Sequence, residues 1–220
     1  MPFTPAPTIG DDVLTDTAGN DSVDALAGND RITVTGGSDS VNGGADRDRL
    51  IVDYSGATQA VGNRFGILDG NLASGHSGDF LGGDRAVSFF GIEDFTITTG
   101  GGNDSIRVGG GGDVVNLGGG DDFVDFGTGN DSGDGGTGTD GFSADLGSAA
   151  TAISIDLQTG VSTTFSNFEY LGTLTTGIGN DTIVTRNIAR NETINTGTGA
   201  DTITVAGALT PSPAARTATG

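Results

Sequence analysis

Hydrophobic positions in this chain recur at intervals of nine rather than at the spacing of a helix face. In the central stretch Ile106, Val115, Val124 and Phe142 fall in one register, with Gly133 in the remaining slot. An earlier series, Leu14, Val23, Ile32, Val41 and Leu50, keeps the same interval. Polar and small residues fill the positions between, and no segment sustains a helical period of about 3.6 residues. The density of glycine and β-branched residues opposes helix as well. The pattern predicts short strands with inward apolar side chains, joined by tight turns, and a fixed short period predicts a repeat architecture.

Each apolar residue stands two positions after an aspartate. These are Asp12, Asp21, Asp30, Asp39 and Asp48 in the first series, and Asp104, Asp113, Asp122, Asp131 and Asp140 in the second. Two positions before each aspartate comes a glycine: Gly10, Gly19, Gly28 and Gly37, then Gly102, Gly111, Gly120, Gly129 and Gly138. Asp46 takes the glycine position of the fifth unit. Glycine reaches the positive φ of a tight turn and leaves carbonyls room to converge. The aspartate adds a hard anionic oxygen, and the set suits a hard dication such as calcium, which takes about six to eight oxygen ligands.

A glycine, any residue, aspartate, any residue and an apolar residue, repeated with period nine, resembles the calcium-binding nonapeptide repeat family, also called hemolysin-type or RTX repeats. The resemblance implies an all-β right-handed parallel β-roll or β-helix, with two repeats per coil. Residues eighteen apart would then stack on the same side. It implies calcium between stacked turns, held by glycine-turn carbonyls and by the pairs Asp12 with Asp30, Asp21 with Asp39, Asp30 with Asp48, Asp104 with Asp122, Asp113 with Asp131, and Asp122 with Asp140. That gives about six ions or more. It also implies a secreted, extracellular or cell-surface bacterial protein, exported unfolded by type I secretion and folded by calcium on arrival.

Composition fits that reading. Of 220 residues 42 are glycine, and the net charge is −20. Only Glu93, Glu169 and Glu192 among the 29 acidic residues are glutamate, so the short carboxylate of turns and ligation dominates. Such a charge disfavours nucleic acid and anionic membrane as partners and makes metal cations the natural counter-charge. No cysteine is present, so no disulfide framework is expected. No positively charged segment with an apolar run follows Met1, and no apolar stretch is long enough to span a bilayer.

The chain divides into an extended lead-in (1–8), a first array (9–52), a β spacer (53–98), a second array (99–143), a second β spacer (144–175), a degenerate third array (176–206) and a disordered tail (207–220). The third array offers Asp181 and Asp201, with Glu192 between them eleven residues after Asp181. A loop of two extra residues and a poor metal site are expected near Arg186 to Arg190. Gly133, in an apolar slot, predicts a packing defect, and neither end reads as a cap for a stack of coils.

Two other uses of these residues stand beside the metal reading. Aspartate caps turns without any metal. Arg64, Asp69, His76, Asp79, Asp84 and Arg85 crowd the first spacer, where they would line a cleft of a polysaccharide-active solenoid enzyme or simply decorate a solvated insertion. A rigid adhesin or surface-layer segment is a third possibility. No His-Glu-x-x-His zinc motif occurs, and the chain is expected to be non-catalytic.

Overall fold

The computed structural model describes residues 3–63, 69–159, 164–186, 190–206 and 217–219. Among them every regular element is a β-strand, and most strands are three to five residues long. Seven strands form one face in the order Val13–Thr15, Arg31–Val34, Arg49–Asp53, Asp94–Thr98, Val114–Asn116, Ser132–Asp134 and Phe165–Ser166. Every neighbouring pair in that face is parallel. The second face includes Ser22–Asp24, Ser38–Asn42, Ser105–Arg107, Phe123–Gly129, Gly141–Asp145, Tyr170–Thr175 and Thr193–Asn195. A short third sheet stacks Ser154–Asp156, Thr182–Arg186 and Thr202–Ala206.

The register gives the nine-residue period its physical meaning. Leu14 lies opposite Ile32, Ile32 opposite Leu50, and Ile106 opposite Val124, each step being eighteen residues. One repeat therefore crosses one face, and the next returns along the other. Several repeats send two side chains inward rather than one. Ile32 and Val34, Leu50 and Val52, Ile106 and Val108, Val115 and Leu117, and Val124 and Phe126 are all buried. The second of each pair follows from strand alternation two residues on.

Between the arrays the parallel face continues without a gap. Asp94–Thr98 lies on Arg49–Asp53 with Phe95 opposite Leu50, and under Val114–Asn116 with Ile97 opposite Val115. The second array is thus slid by two residues along the strand, and a slip of two keeps every side chain on its own face. On the other face the spacer inserts an antiparallel hairpin, Gly75–Gly82 with Arg85–Ile92. Its Phe80 and Phe89 pack with Phe95 at ring-centroid distances of 5.1 to 5.7 Å, so the seam is sealed by aromatic burial.

Three sequence expectations are corrected. Gly133 is not a defect, because a Cβ there would lie 2.5 Å from Cζ of Phe126, whose ring occupies the space together with Phe142, Phe165 and Phe168. The lead-in caps the first coil: Thr4 pairs antiparallel with Thr15, and Phe3 is buried. The segment expected to be a disordered tail contains the strand Thr217–Thr219, paired with Thr193–Asn195, and the rest of 207–220 lies outside the described residues. The expected extra loop falls on 187–189, also outside them, while the coil around it is twenty residues long, with Thr182 opposite Thr202.

Candidate metal centre

The turns are joined along the stack by two side-chain ladders of opposite direction. In the first, the backbone N–H of a repeat aspartate donates to Oδ1 of the aspartate eighteen residues later, six times in the two main arrays. Asp12 donates to Asp30 at 2.8 Å, Asp21 to Asp39 at 3.0 Å and Asp30 to Asp48 at 2.9 Å. Asp104 donates to Asp122 at 2.7 Å, Asp113 to Asp131 at 2.9 Å and Asp122 to Asp140 at 2.8 Å. All six sequence-derived pairs are therefore brought together on adjacent coils. Asp181 and Asp201 are joined in the same way across twenty residues, at 3.0 Å.

The second ladder uses the residue before the aspartate. Oδ1 of Asn20, Asn29 and Asn103 accepts the N–H of Ser38, Arg47 and Asp121, each eighteen residues later. Asn180 does the same for Ala200. This explains the recurrent Asn-Asp dipeptide: one side chain reaches forward along the stack and its neighbour reaches back, so each turn is tied to both of its neighbours.

The backward ladder uses only one oxygen of each carboxylate. Oδ2 of Asp30, Asp39, Asp48, Asp104, Asp113, Asp122, Asp131 and Asp140 is buried without a hydrogen-bond partner. An isolated buried carboxylate oxygen costs several kcal/mol unless a positive charge compensates it, and in practice the group takes up a proton instead. Burial accordingly pushes these carboxyls up: Asp39, Asp131 and Asp140 to about 6, Asp48 and Asp122 to about 7, and Asp113 to about 8. Backbone hydrogen bonds pull the other way and are outweighed. Turn capping and cation ligation are thus not rivals here, since they would use different oxygens of the same side chain.

Glycine is required where turns stack most closely. At Gly120, with φ of +132°, a Cβ would lie 2.1 Å from the carbonyl oxygen of Gly102. At Gly37, with φ of +96°, it would lie 2.0 Å from that of Gly19. Gly28, Gly111, Gly129 and Gly138 are equally confined, whereas Gly10 and Gly19, on the outermost turns, meet only nearby threonine hydroxyls. Asp46 fills its glycine position by adopting φ of +80°, a region that aspartate tolerates better than most residues.

Sequence reasoning missed the ends of the ladders. Glu93 accepts the N–H of Asp48 and Glu169 that of Asp140, both at 2.8 Å, so glutamates close the two main arrays. Glu192 accepts that of Leu171 at 3.4 Å. The signal was present: Gly91 and Asn167, two residues before Glu93 and Glu169, have positive φ and copy the glycine of the repeat. Thr8 and Thr17 take up the carboxylates of the first two turns, Asp12 and Asp21. At the seam Arg47 grips Asp94 through Nε and Nη2 at 2.8 and 2.7 Å.

Of the charged residues that crowd the first spacer, the described ones are dispersed rather than gathered into one cluster. His76 is buried with Nε2 3.0 Å from the carbonyl oxygen of Gly110, the Arg85 guanidinium lies over Tyr54, Asp84 is fully exposed, and Arg64 lies outside the described residues. Among the described residues no three His, Cys, Asp or Glu side chains converge as a metal cluster, so any ion at the turns would rely on carboxylate pairs with backbone carbonyls. No described helix is long and apolar enough to cross a membrane.

Comparison with known families places this geometry. The profile of the RTX calcium-binding nonapeptide repeat matches in four copies, at residues 8–41, 24–53, 98–133 and 189–205. No curated protein and no solved structure matches the chain significantly.

Proposed function

We propose, from the premise that this chain carries RTX calcium-binding nonapeptide repeats, that its stacked turns hold calcium and that calcium drives folding of a secreted scaffold. Such repeats are characteristic of secreted bacterial proteins and typically structural rather than catalytic. The coils are read as a right-handed parallel β-roll, exported unfolded by type I secretion and ordered outside the cell.

One observation carries the reading: eight buried Oδ2 atoms stand without a partner on successive turns. The donor type fits a hard cation, since these orphaned atoms are carboxylate oxygens on turns whose other exposed ligand atoms would be backbone carbonyls. The ligands assigned are Asp12, Asp21, Asp30, Asp39 and Asp48, then Asp104, Asp113, Asp122, Asp131 and Asp140, with Asp181 and Asp201 in the third array. Bound calcium supplies the divalent charge that lets these carboxyls remain ionised in a desolvated stack. At the eight turns with an orphaned Oδ2 the chain's own part is to present that atom while Oδ1 holds the neighbouring turn, whereas at Asp12, Asp21 and Asp181 a hydrogen bond from Thr8, Thr17 or Thr176 reaches Oδ2.

Without metal the repelling carboxylates and the ordering entropy of glycine oppose folding. Affinities of about 10⁻⁴ to 10⁻³ M, usual for extracellular modules, leave the chain unfolded in a low-calcium cytosol and folded outside. Circular dichroism titrated with calcium and then with chelator tests this. Near pH 8, about where these carboxyls are ionised, a β spectrum should build with calcium, saturate at about six ions per chain, and vanish on chelation. A spectrum indifferent to both reagents would end the proposal.

A further inference from the structure

Away from the turn stacks, the outward surface of the second array carries an aromatic strip beside a groove. Gly62, Ser105, Phe123, Gly141 and Tyr170 are successive register partners, so they form one outward row along the stack. The rings of Phe123 and Tyr170 are nearly parallel, 23° apart with centroids at 6.1 Å. Two glycines let them lie over the strands. A Cβ at Gly141 would fall 2.2 Å from the Tyr170 ring, and one at Gly172 would fall 3.0 Å from Cζ of Phe123.

The two rings differ in their cover. The Arg190 guanidinium lies 4.7 Å over Tyr170. Phe123 instead borders a cleft of about 440 Å³ with Asn63, Asn103, Ser105, Arg107 and Asp125. A second cavity of about 690 Å³ shares Arg107 and Asp125 with the first and continues over Gly109, Gly110 and Gly127 to the half-exposed Leu72. The ion pair of Arg107 with Asp125, at 2.8 Å, stands at the junction.

We infer that this groove binds a neutral oligosaccharide. A sugar ring offers an apolar C–H face to an aromatic plane and a rim of hydroxyls to in-plane donors and acceptors. Phe123 supplies the plane, while the Ser105 hydroxyl, the Asn103 amide and the lone pairs that Asp125 keeps beyond its ion pair supply donors and acceptors around it. Asn63 and Arg107 are engaged with each other, with Asp79 and with Asp125, and shape the wall. Competing occupants fit less well. A net charge of −20 repels nucleic acid and acidic glycans. Strand addition by a peptide is blocked, because Ser105–Arg107 is already paired on both sides, with Val61–Gly62 and Phe123–Gly129. The two cavities, joined at Arg107 and Asp125, make an extended surface, which suits a chain better than a single compact molecule.

The test uses the full chain in excess calcium, with circular dichroism to verify folding and titration calorimetry against cellohexaose, chitohexaose and xylohexaose, with polygalacturonate as the acidic comparison. At least one neutral oligomer should bind saturably. Phe123→Ala and Phe123→Leu should each weaken that binding by about tenfold, because both remove the flat face and the second retains bulk. Phe90→Ala, at an exposed phenylalanine outside the groove, should leave it unchanged. No binding of any neutral oligomer, binding of polygalacturonate alone, or equal effects of the Phe123 and Phe90 variants would overturn the assignment. Chelator-driven loss of the β spectrum tests the metal reading by itself, so the two results are separable.

Discussion

The backbone N–H of Asp48 donates to Oε2 of Glu93, 45 positions further along the chain, at 2.8 Å. Asp140 is served in the same way by Glu169, 29 positions on. At both seams the glutamate's own N–H is also drawn onto the carbonyl of the aspartate it serves, at 3.1 and 2.7 Å. The N–H of Asp30, Asp104 or Asp113 goes to a carboxylate instead. The backbone therefore meets the turn differently at a seam, and a side chain one methylene longer closes the ladder there. Glu93→Ala should cost about 1–3 kcal/mol by leaving a buried N–H unsatisfied. Glu93→Asp should cost nearly as much, because the shorter carboxylate falls short. Denaturant unfolding in saturating calcium measures both, and a silent Glu93→Asp would refute the length argument.

The raised carboxyls set the pH response of the metal-free chain. For Asp39, Asp48, Asp113, Asp122, Asp131 and Asp140 the folded-state values lie near 6 to 8, above the unfolded value near 3.8. Their contribution to stability is complete below the unfolded value and is lost as pH rises through the folded ones. Asp94 opposes this at the acid end: burial pushes it up, but the hydrogen bonds from Arg47 and Gly112 outweigh burial and hold it low, so its contribution disappears below the usual carboxylate range. Metal-free protein should thus be more folded near pH 5 than near pH 8, as read by the β spectrum in chelator. Calcium should reverse the order, since it needs the ionised form. Equal folding of the metal-free chain at both values would contradict the desolvated ladder.

The stacked turns distinguish glycines that look alike in sequence. Gly120→Ala meets the carbonyl of Gly102 and forces a positive φ on a side chain, whereas a Cβ at Gly101 would meet nothing within 4 Å. Gly120→Ala should destabilise by at least about 1–3 kcal/mol and lower calcium affinity. Gly101→Ala should be close to neutral or slightly stabilising. Thermal unfolding of the two variants in calcium decides the matter, and equal melting temperatures would count against turn stacking.

Most of the regular stack was legible because the period, the aspartates and the alternation all express one register. Every aspartate pair named from the spacing lies on adjacent coils. What escaped lies where the register is interrupted. Glu93 and Glu169 hold ladder positions without a nine-residue neighbour, and only Gly91 and Asn167 hint at it. The hairpin Gly75–Gly82 with Arg85–Ile92 has no periodic signal, since its partners are set by antiparallel pairing inside an otherwise parallel face. Phe3 and Thr4 looked like a proline-rich lead-in, because a single capping contact leaves no pattern.

Gly133 shows how a local rule fails when a distant residue has compensated. The repeat calls for an apolar side chain at this slot, yet Phe126 from the facing strand fills it, and Phe165 takes the matching position on the next coil. Restoring the consensus with Gly133→Val should therefore destabilise by about 1–3 kcal/mol through overpacking. Phe126→Val alone should also destabilise, by opening a cavity. Together the two should cost less than the sum of the single changes by about 0.5–3 kcal/mol, because the new valine occupies the volume the ring gave up. A double-mutant cycle in denaturant, with calcium held in excess, measures that coupling. Simple additivity would mean that the ring and the glycine are not complementary, and that the slot is empty after all.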